Sequence, residues 1–385
     1  MVFHDFGAGQ GDQTERSTNA FFSKFEQYYS RKEMVRVLHI SANKPEMPEF
    51  ILPEESKMPL QYHGGPTRRG FCTCCMVAAG IGATRGWLRP AEAYAEARSV
   101  VDVIRDAAAT SPIQLHKLRG NVAILEGSGG NIAVFTGPDG KVFIDAGITV
   151  SRQRILEAVT ALSSDPIRHI INTHWHFDHT DGNQWLNEEG AAILAHENTH
   201  KHLQAVQRVP DWEFTFTPQP LAAVPTEIFS TEKSLKLNGS TLHLKHYDPA
   251  HTDSDISVTF AEADILHCGD TYWNGFYPFI DYATGGSVDG MIKATEANIA
   301  AAGDSTIVIP GHNMPDHASP VSNKAELLRY REMLTRIRDN VARLKQQGRS
   351  LEETVAEKPT ADFDATWGQF IITPAFFIRL VYEGV

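Results

Sequence analysis

The densest chemistry in this sequence lies in Thr173-His174-Trp175-His176-Phe177-Asp178-His179-Thr180-Asp181-Gly182-Asn183, directly after an apolar run that reads as a strand. Three imidazoles and a carboxylate fall between His174 and His179. On an extended chain His174 and His176 project to the same side, whereas Asp178 and His179 come after the chain has turned. Two ligand pairs can therefore face two neighbouring cations. Imidazole nitrogen and carboxylate oxygen are the donors that zinc and iron prefer. The surrounding composition agrees, because 13 of the 17 His lie between His169 and His317.

Each cation needs further ligands, and three later loops offer them. Asp248-Pro249-Ala250-His251-Thr252 follows a hairpin, while Leu266-His267-Cys268-Gly269-Asp270-Thr271 and Val308-Ile309-Pro310-Gly311-His312-Asn313 each end an apolar strand. In the last two a Gly stands beside the candidate ligand and lets the backbone bring it inward. This ordered set over residues 116–315 resembles the metallo-β-lactamase fold superfamily: strand-His-x-His-x-Asp-His, then Ala-His-Thr, Gly-Asp-Thr and Pro-Gly-His. Position by position, the resemblance implies that His174, His176 and His251 hold one metal. It gives Asp178, His179 and His312 the second, with Asp270 bridging. The implied cofactors are two Zn²⁺ per chain, with Fe or Mn as alternatives. The implied fold is an α/β, αββα sandwich of two mixed sheets flanked by helices, here with a C-terminal helical extension.

Two cations about 3.5–4 Å apart can share a water and lower its pKa toward neutrality. The reaction class is then metal-assisted hydrolysis of a small ester, thioester, lactone or lactam. Asp178 is the candidate catalytic group that orients the nucleophile or carries its proton. A metal-dependent phosphodiesterase or nuclease and an iron-dependent oxidoreductase are the rival activities on the same fold. Asp270 stands where the commonest lactamase pattern has Cys, which pulls away from β-lactam hydrolysis. A structural zinc site closes with four ligands and does not need seven. Asp145 reads as a hydrogen-bond acceptor beside the site. His196, His200, His202, His243 and His246 read as structural or surface residues, Cys268 as a small core residue, and Trp175 and Phe177 as loop packing. Tyr272, Trp273 and Phe276 are pocket-lining candidates. Gly285-Gly286-Ser287 reads equally as a helix cap or an anion cradle.

The elements that position these residues are legible in outline. Strands are expected at 121–125, 131–136, 141–145 and 168–173, with the Pro138-Asp139-Gly140 turn closing a hairpin. A helix from Ser151 buries Ile155, Val159 and Leu162. A strand at 191–195 and a helix at 197–207 follow. The alternation around Asn238-Gly239 predicts a second hairpin, and later strands are expected at 256–260, 264–268 and 305–309, with a helix over 287–302. Leu327, Tyr330, Leu334, Ile337, Val341 and Leu344 form one apolar stripe on a long helix that Gly348 stops. It packs on the body or on a twin subunit. Ser350-Leu351-Glu352-Glu353 reads as a capping box.

The chain has 385 residues, 42% hydrophobic and 21% charged, enough for a sizeable core. A formal charge of -12 without a dense Lys/Arg run argues against a nucleic-acid partner. A small-molecule substrate is expected. The uncharged stretch 70–84 is too short for a membrane anchor. It follows Arg68-Arg69 and precedes Ala93-Tyr94-Ala95, so 58–95 resembles a twin-arginine export signal cut after Ala95. Met58 is then the natural start, residues 1–57 an uncertain extension, 96–320 the catalytic domain and 321–385 the helical extension. Transient contact with the export machinery and a periplasmic location follow, or a cytoplasmic one if 58–95 is not a signal. Removal of that signal leaves Cys268 as the only thiol, so no disulfide framework holds the fold.

Overall fold

The structure, a computed structural model, describes residues 99–314 and 319–385. The expected extension, the export signal and His317 lie outside the described residues. Strands β1 (Gln114–Lys117), β2 (Val122–Glu126), β3 (Ile132–Phe135), β4 (Lys141–Ile144), β5 (Ile167–Ile171), β6 (Ala192–His196) and β9 (Glu227–Phe229) form one sheet in that order. It is antiparallel through β4 and parallel from β4 to β9. The second sheet runs β10 (Glu232–Leu237), β11 (Ser240–His246), β12 (Ile256–Phe260), β13 (Ile265–His267) and β15 (Ile307–Ile309). Two short ribbons complete the strands: β7 (Gln207–Val209) with β8 (Phe214–Phe216), and β14 (Trp273–Asn274) with β16 (His312–Asn313).

Side-chain alternation assigns the layers. Val122, Ile124, Phe135, Val142, Ile144 and Ile171 from the first sheet meet Leu242, Leu244, Ile256, Val258, Phe260 and Ile265 from the second in one apolar cluster. This is the core between the sheets. The opposite face of the first sheet, with Leu125, Ile132, Val134, Phe143 and Ile170, packs on α2 (Arg152–Leu162) through Ile155 and Val159, and on α4 (Asn183–Glu188) through Trp185 and Leu186. Leu266 and Val308 of the second sheet face α6 (Val288–Ala301) and α7 (Lys324–Gln346) in the third cluster. The order helix, sheet, sheet, helix is the expected αββα sandwich.

Most expected strands and helices stand within two residues of their sequence positions. The turn at Asn238-Gly239 has positive φ at both residues, 53° and 75°, which is what a two-residue hairpin of this twist requires. Ser287 caps α6 by accepting the Gly290 amide, and Ser350 with Glu353 makes a reciprocal capping box. One element differs. The helix expected to reach Gln207 stops at Gln204 (α5, Glu197–Gln204, after α3, Phe177–Thr180), and Gln207–Val209 pairs with Phe214–Phe216 instead. Pro210 favours the extended pairing, since proline biases the residue before it, Val209, to extended backbone.

The stripe on α7 is buried within the chain, from Leu327 to Leu344. It shares its cluster with α10 (Pro374–Gly384), which follows α8 (Leu351–Ala356) and α9 (Ala361–Trp367) and contributes Phe377, Leu380 and Val381. These last helices also brace the loop after Asp270. The Tyr277 amide donates to the Trp367 carbonyl at 2.8 Å, its hydroxyl to Asp364 at 2.9 Å, and its ring stacks on Phe377 at 4.5 Å. Among the described residues no helix is long and apolar enough to cross a membrane.

Candidate metal centre

The seven expected donors converge from four separate chain segments onto one edge of the sandwich. His174 and His176 follow β5, Asp178 and His179 sit on the single turn α3, His251 follows β11, Asp270 follows β13, and His312 opens β16. The donor atoms of His174, His176, His251 and Asp270 form one group and those of Asp178, His179 and His312 a second, each within 4.8 Å. Asp270 joins the groups, with Oδ2 at 3.4 Å from His251 Nε2 and 3.3 Å from His312 Nε2, and Oδ1 at 3.2 Å from His179 Nε2. Gly311 allows this approach, because a Cβ there would lie 2.0 Å from Asp270 Oδ1. Gly130 is equally constrained by the His179 ring, 2.1 Å from where its Cβ would be.

Hydrogen-bond partners fix which nitrogen each imidazole offers. The Thr173 hydroxyl donates to Asp145 Oδ2 at 2.8 Å, so it accepts from His174 Nδ1 at 3.0 Å and leaves Nε2 with its lone pair. His251 Nδ1 donates to the Phe279 carbonyl at 2.8 Å, and His179 Nδ1 to Asp145 Oδ2 at 2.7 Å. His176 is reversed: its Nε2 donates to Asp281 Oδ2 at 3.0 Å, so Nδ1 faces the centre.

The residues fit a bound cation pair. His176 Nδ1 and His251 Nε2 are 2.8 Å apart, and His179 Nε2 and His312 Nε2 are 3.2 Å apart. Two lone pairs so close in a dry interior need a proton or a cation between them. His174 Nε2 is buried without any hydrogen-bond partner, as a donor kept for an inner-sphere bond would be. The electrostatics carry the same message. Burial and the neighbouring His179 push the His174 imidazolium well below its usual range. Burial also opposes charge on His179, but Asp270, Asp145 and Asp178 outweigh it and hold its proton well above the ordinary His range. At His312 burial is likewise outweighed, by Asp270 and Asp178, and the pKa rises to about 9. Burial alone would raise the Asp270 carboxyl, yet His312, His179 and His174 hold it well below the carboxylate range. The acidic groups thus gather positive charge at the point where a metal would bring it.

A model of the metallo-beta-lactamase superfamily matches residues 125–336, more than half of the chain. The chain belongs to that superfamily. Among curated proteins it is similar to a hydroxyacylglutathione hydrolase from Polaromonas sp., 27% identical over 150 residues, which is 38% of this chain and 49% of that protein. Among solved structures it is similar to the stereoselective inverting sec-alkylsulfatase Pisa1 from Pseudomonas sp., at 16% identity and a TM-score of 0.54, covering 72% of this chain and 51% of that one. The chain spans about half the length of each of these relatives.

Around the seven donors, this superfamily member uses residues that composition and spacing only partly disclosed. Asp145 is the expected acceptor, and it does more than one job: it takes the Thr173 amide at 2.7 Å as well as Thr173 Oγ1 and His179 Nδ1, so it orients one imidazole of each group. It does so at a φ of 66°, a left-handed backbone unusual for a buried non-glycine residue. Asp281 escaped the sequence reading. It faces His176 across 105 positions, takes a second bond from Thr284 Oγ1 at 2.7 Å, and Thr284 in turn accepts from Trp175 Nε1 at 3.0 Å. Asp255 also escaped: its carboxylate accepts the amides of His251 and Thr252, and burial pushes its pKa up to about 6. His267 is a clip between loops, donating to the Asn131 carbonyl at 3.2 Å and accepting the Gly269 amide. Asp281 meets His176 only through tertiary folding, whereas Asp255 closes a local turn onto His251 and Thr252 four and three residues before it.

The remaining candidates divide. His196 stacks on His246 at 3.6 Å and bonds the Ser230 carbonyl, His202 bonds Asp253, His200 the Pro225 carbonyl and His243 Ser234, all outside the donor groups. Cys268 is a buried free thiol. Trp175 and Phe177 pack the loop, the latter stacked on Phe216. Of the three pocket candidates, Tyr272 turns away to Ser322 and Tyr330, whereas Trp273 lies 4.7 Å from the His312 ring with Phe276 behind it. Gly286 serves close approach, since a Cβ there would meet the His251 carbonyl at 2.6 Å, and Ser287 is a helix cap.

Proposed function

We propose that the protein is a hydrolase with a dinuclear zinc centre, acting on a small ester, thioester, lactone or lactam. One observation carries the reading: seven buried or nearly buried donors form two adjoining groups that share Asp270, more than a closed structural site of four ligands would use. Bound divalent ions there supply Lewis acidity and lower the pKa of a shared water. His174, His176 and His251 would hold one ion and Asp178, His179 and His312 the other, with Asp270 within reach of both. Asp178 has one carboxylate oxygen 3.3 Å from His312 Nε2, leaving the other to accept a proton from the attacking water. Asp145, Asp281 and the Phe279 carbonyl keep the imidazole tautomers fixed while charge develops. The likeness to a hydroxyacylglutathione hydrolase favours an acyl substrate. Export by a twin-arginine route, with cleavage after Ala95, accompanies this reading. Intact-mass analysis of the native protein tests it: a chain beginning at Glu96 supports export, and residues retained before Met58 contradict it.

The activity test is a hydrolysis panel on zinc-loaded protein with thioester, lactone, β-lactam, phosphodiester and sulfate ester. Cleavage of an acyl substrate, lost in His176→Ala, supports the proposal. Cleavage confined to phosphodiesters or sulfate esters overturns it.

A further inference from the structure

Two rows of aromatic rings leave the centre, one from each donor group, and both end on the same short stretch of the C-terminal extension. In the first row the Trp212 ring lies 4.8 Å from His176 and 5.1 Å from Phe279, which in turn lies 6.3 Å from Phe376 at the start of α10. In the second row Trp273 lies 4.7 Å from His312 and 5.0 Å from Phe276, which lies 5.1 Å from Phe370 in the loop before α10. The row interiors, Phe276 and Phe279, are fully packed, but Phe370 is 40% exposed, and Trp212 and Phe376 are half-buried.

The tail also sets where the rows stand. Arg379 of α10 pairs with Asp211 at 2.6 Å, beside Trp212, and lies over the Phe376 ring at 4.6 Å. Tyr277, between Phe276 and Phe279, is pinned to Trp367 and Phe377 as described above. An exposed apolar side chain that ends a continuous aromatic path from the candidate ligands is the lining expected of a site for a partly apolar molecule.

We propose that Trp212 and the segment from Phe370 to Phe376 form the apolar wall of the substrate site, and that the substrate carries an extended alkyl or aryl group lying along it. The polar end of that substrate is held at the donor groups, so the inference rests on the metal-centre reading above. Its consequence is specific: binding strengthens with the length of the apolar group, about fourfold for each methylene covered, the transfer value of one CH₂.

The experiment uses full-length zinc-loaded protein and straight-chain carboxylates from acetate to decanoate, with affinities measured by titration calorimetry and zinc content measured in every sample. Wild type should show the rising series. Phe370→Ala, at an exposed position that does not threaten the fold, and Trp212→Ala should each flatten the series for the longer chains, whereas Leu328→Ala, exposed on α7, should keep the wild-type slope. Equal affinities at all lengths in wild type, or an unchanged slope in both aromatic variants, overturns the wall. If acetate binds without any length dependence, the wall fails and the metal centre stands. If long chains bind with the expected slope in protein that retains no zinc, the wall stands and the metal centre fails.

Discussion

His174, His176 and His251 lie in a fully buried pocket, and in each the nitrogen turned away from the centre is held by Thr173, Asp281 or the Phe279 carbonyl. The Asp178, His179 and His312 group is built from shorter elements: one helical turn, α3, and the two-residue strand β16. His179 is held as firmly as the first group, by Asp145, but the His312 side chain is 17% exposed and leans on Trp273. The difference separates two tasks. A rigid, dry group is suited to anchoring a cation, and a group at the solvent edge to leaving one reachable by substrate and water.

The largest expected effect comes from the residue common to both groups. Asp270→Ala should abolish binding of both ions and reduce hydrolysis to the level of metal-free protein, as read by metal analysis of dialysed samples. A variant that keeps one ion would show that Asp270 serves only one group. Asp178→Asn should keep the first ion while kcat falls by about 10²–10⁴, the usual contribution of a positioned proton acceptor.

Loss of an outer partner should cost less. Asp281→Asn should weaken the first ion by about 10–100-fold, in line with other carboxylates behind a ligating His. Asp145→Asn should do so for both ions, since it orients His179 directly and His174 through Thr173. Competition with a chelator sharpens the comparison further: release should be biphasic, with an ion at the group nearer solvent leaving first. A single phase for both ions would remove the distinction.

The smallest effect concerns the fold away from the centre. Glu262 accepts from Ser240 and from the Thr241 amide, and these bonds hold its pKa at about 2. A folded-state pKa below the unfolded value gives stability that is present above about pH 4.3 and lost as pH falls toward 2. Glu262→Gln should therefore flatten the dependence of Tm on pH in that acidic window and leave it unchanged near neutrality. A variant whose acid profile matches wild type would contradict the assignment.

The candidate donors were readable because they cluster in four short stretches, each after a strand and each containing Gly, Pro or Thr, and strand ends are marked by local pattern. The Asn238-Gly239 turn and the Ser350–Glu353 cap were readable for the same reason. Asp281 was not, because it acts on a partner 105 positions away that packing supplies, and Asp255 was not, because its turn onto His251 and Thr252 carries no strong local pattern. The hairpin that carries Trp212 was also hidden. Its two strands have three residues each, too short for alternation to register, and the helix expected over 197–207 overlapped the start of the first. The candidate donors are thus written locally, and much of what shapes their surroundings is written in the tertiary fold.

A dinuclear centre here requires two ions sharing Asp270. A crystal of zinc-loaded protein measured at the zinc absorption edge should show two anomalous peaks about 3.5–4 Å apart, one among His174, His176 and His251 and one among Asp178, His179 and His312, with Asp270 touching both. A single peak, or two peaks that leave Asp270 or His312 without an inner-sphere bond, would contradict it.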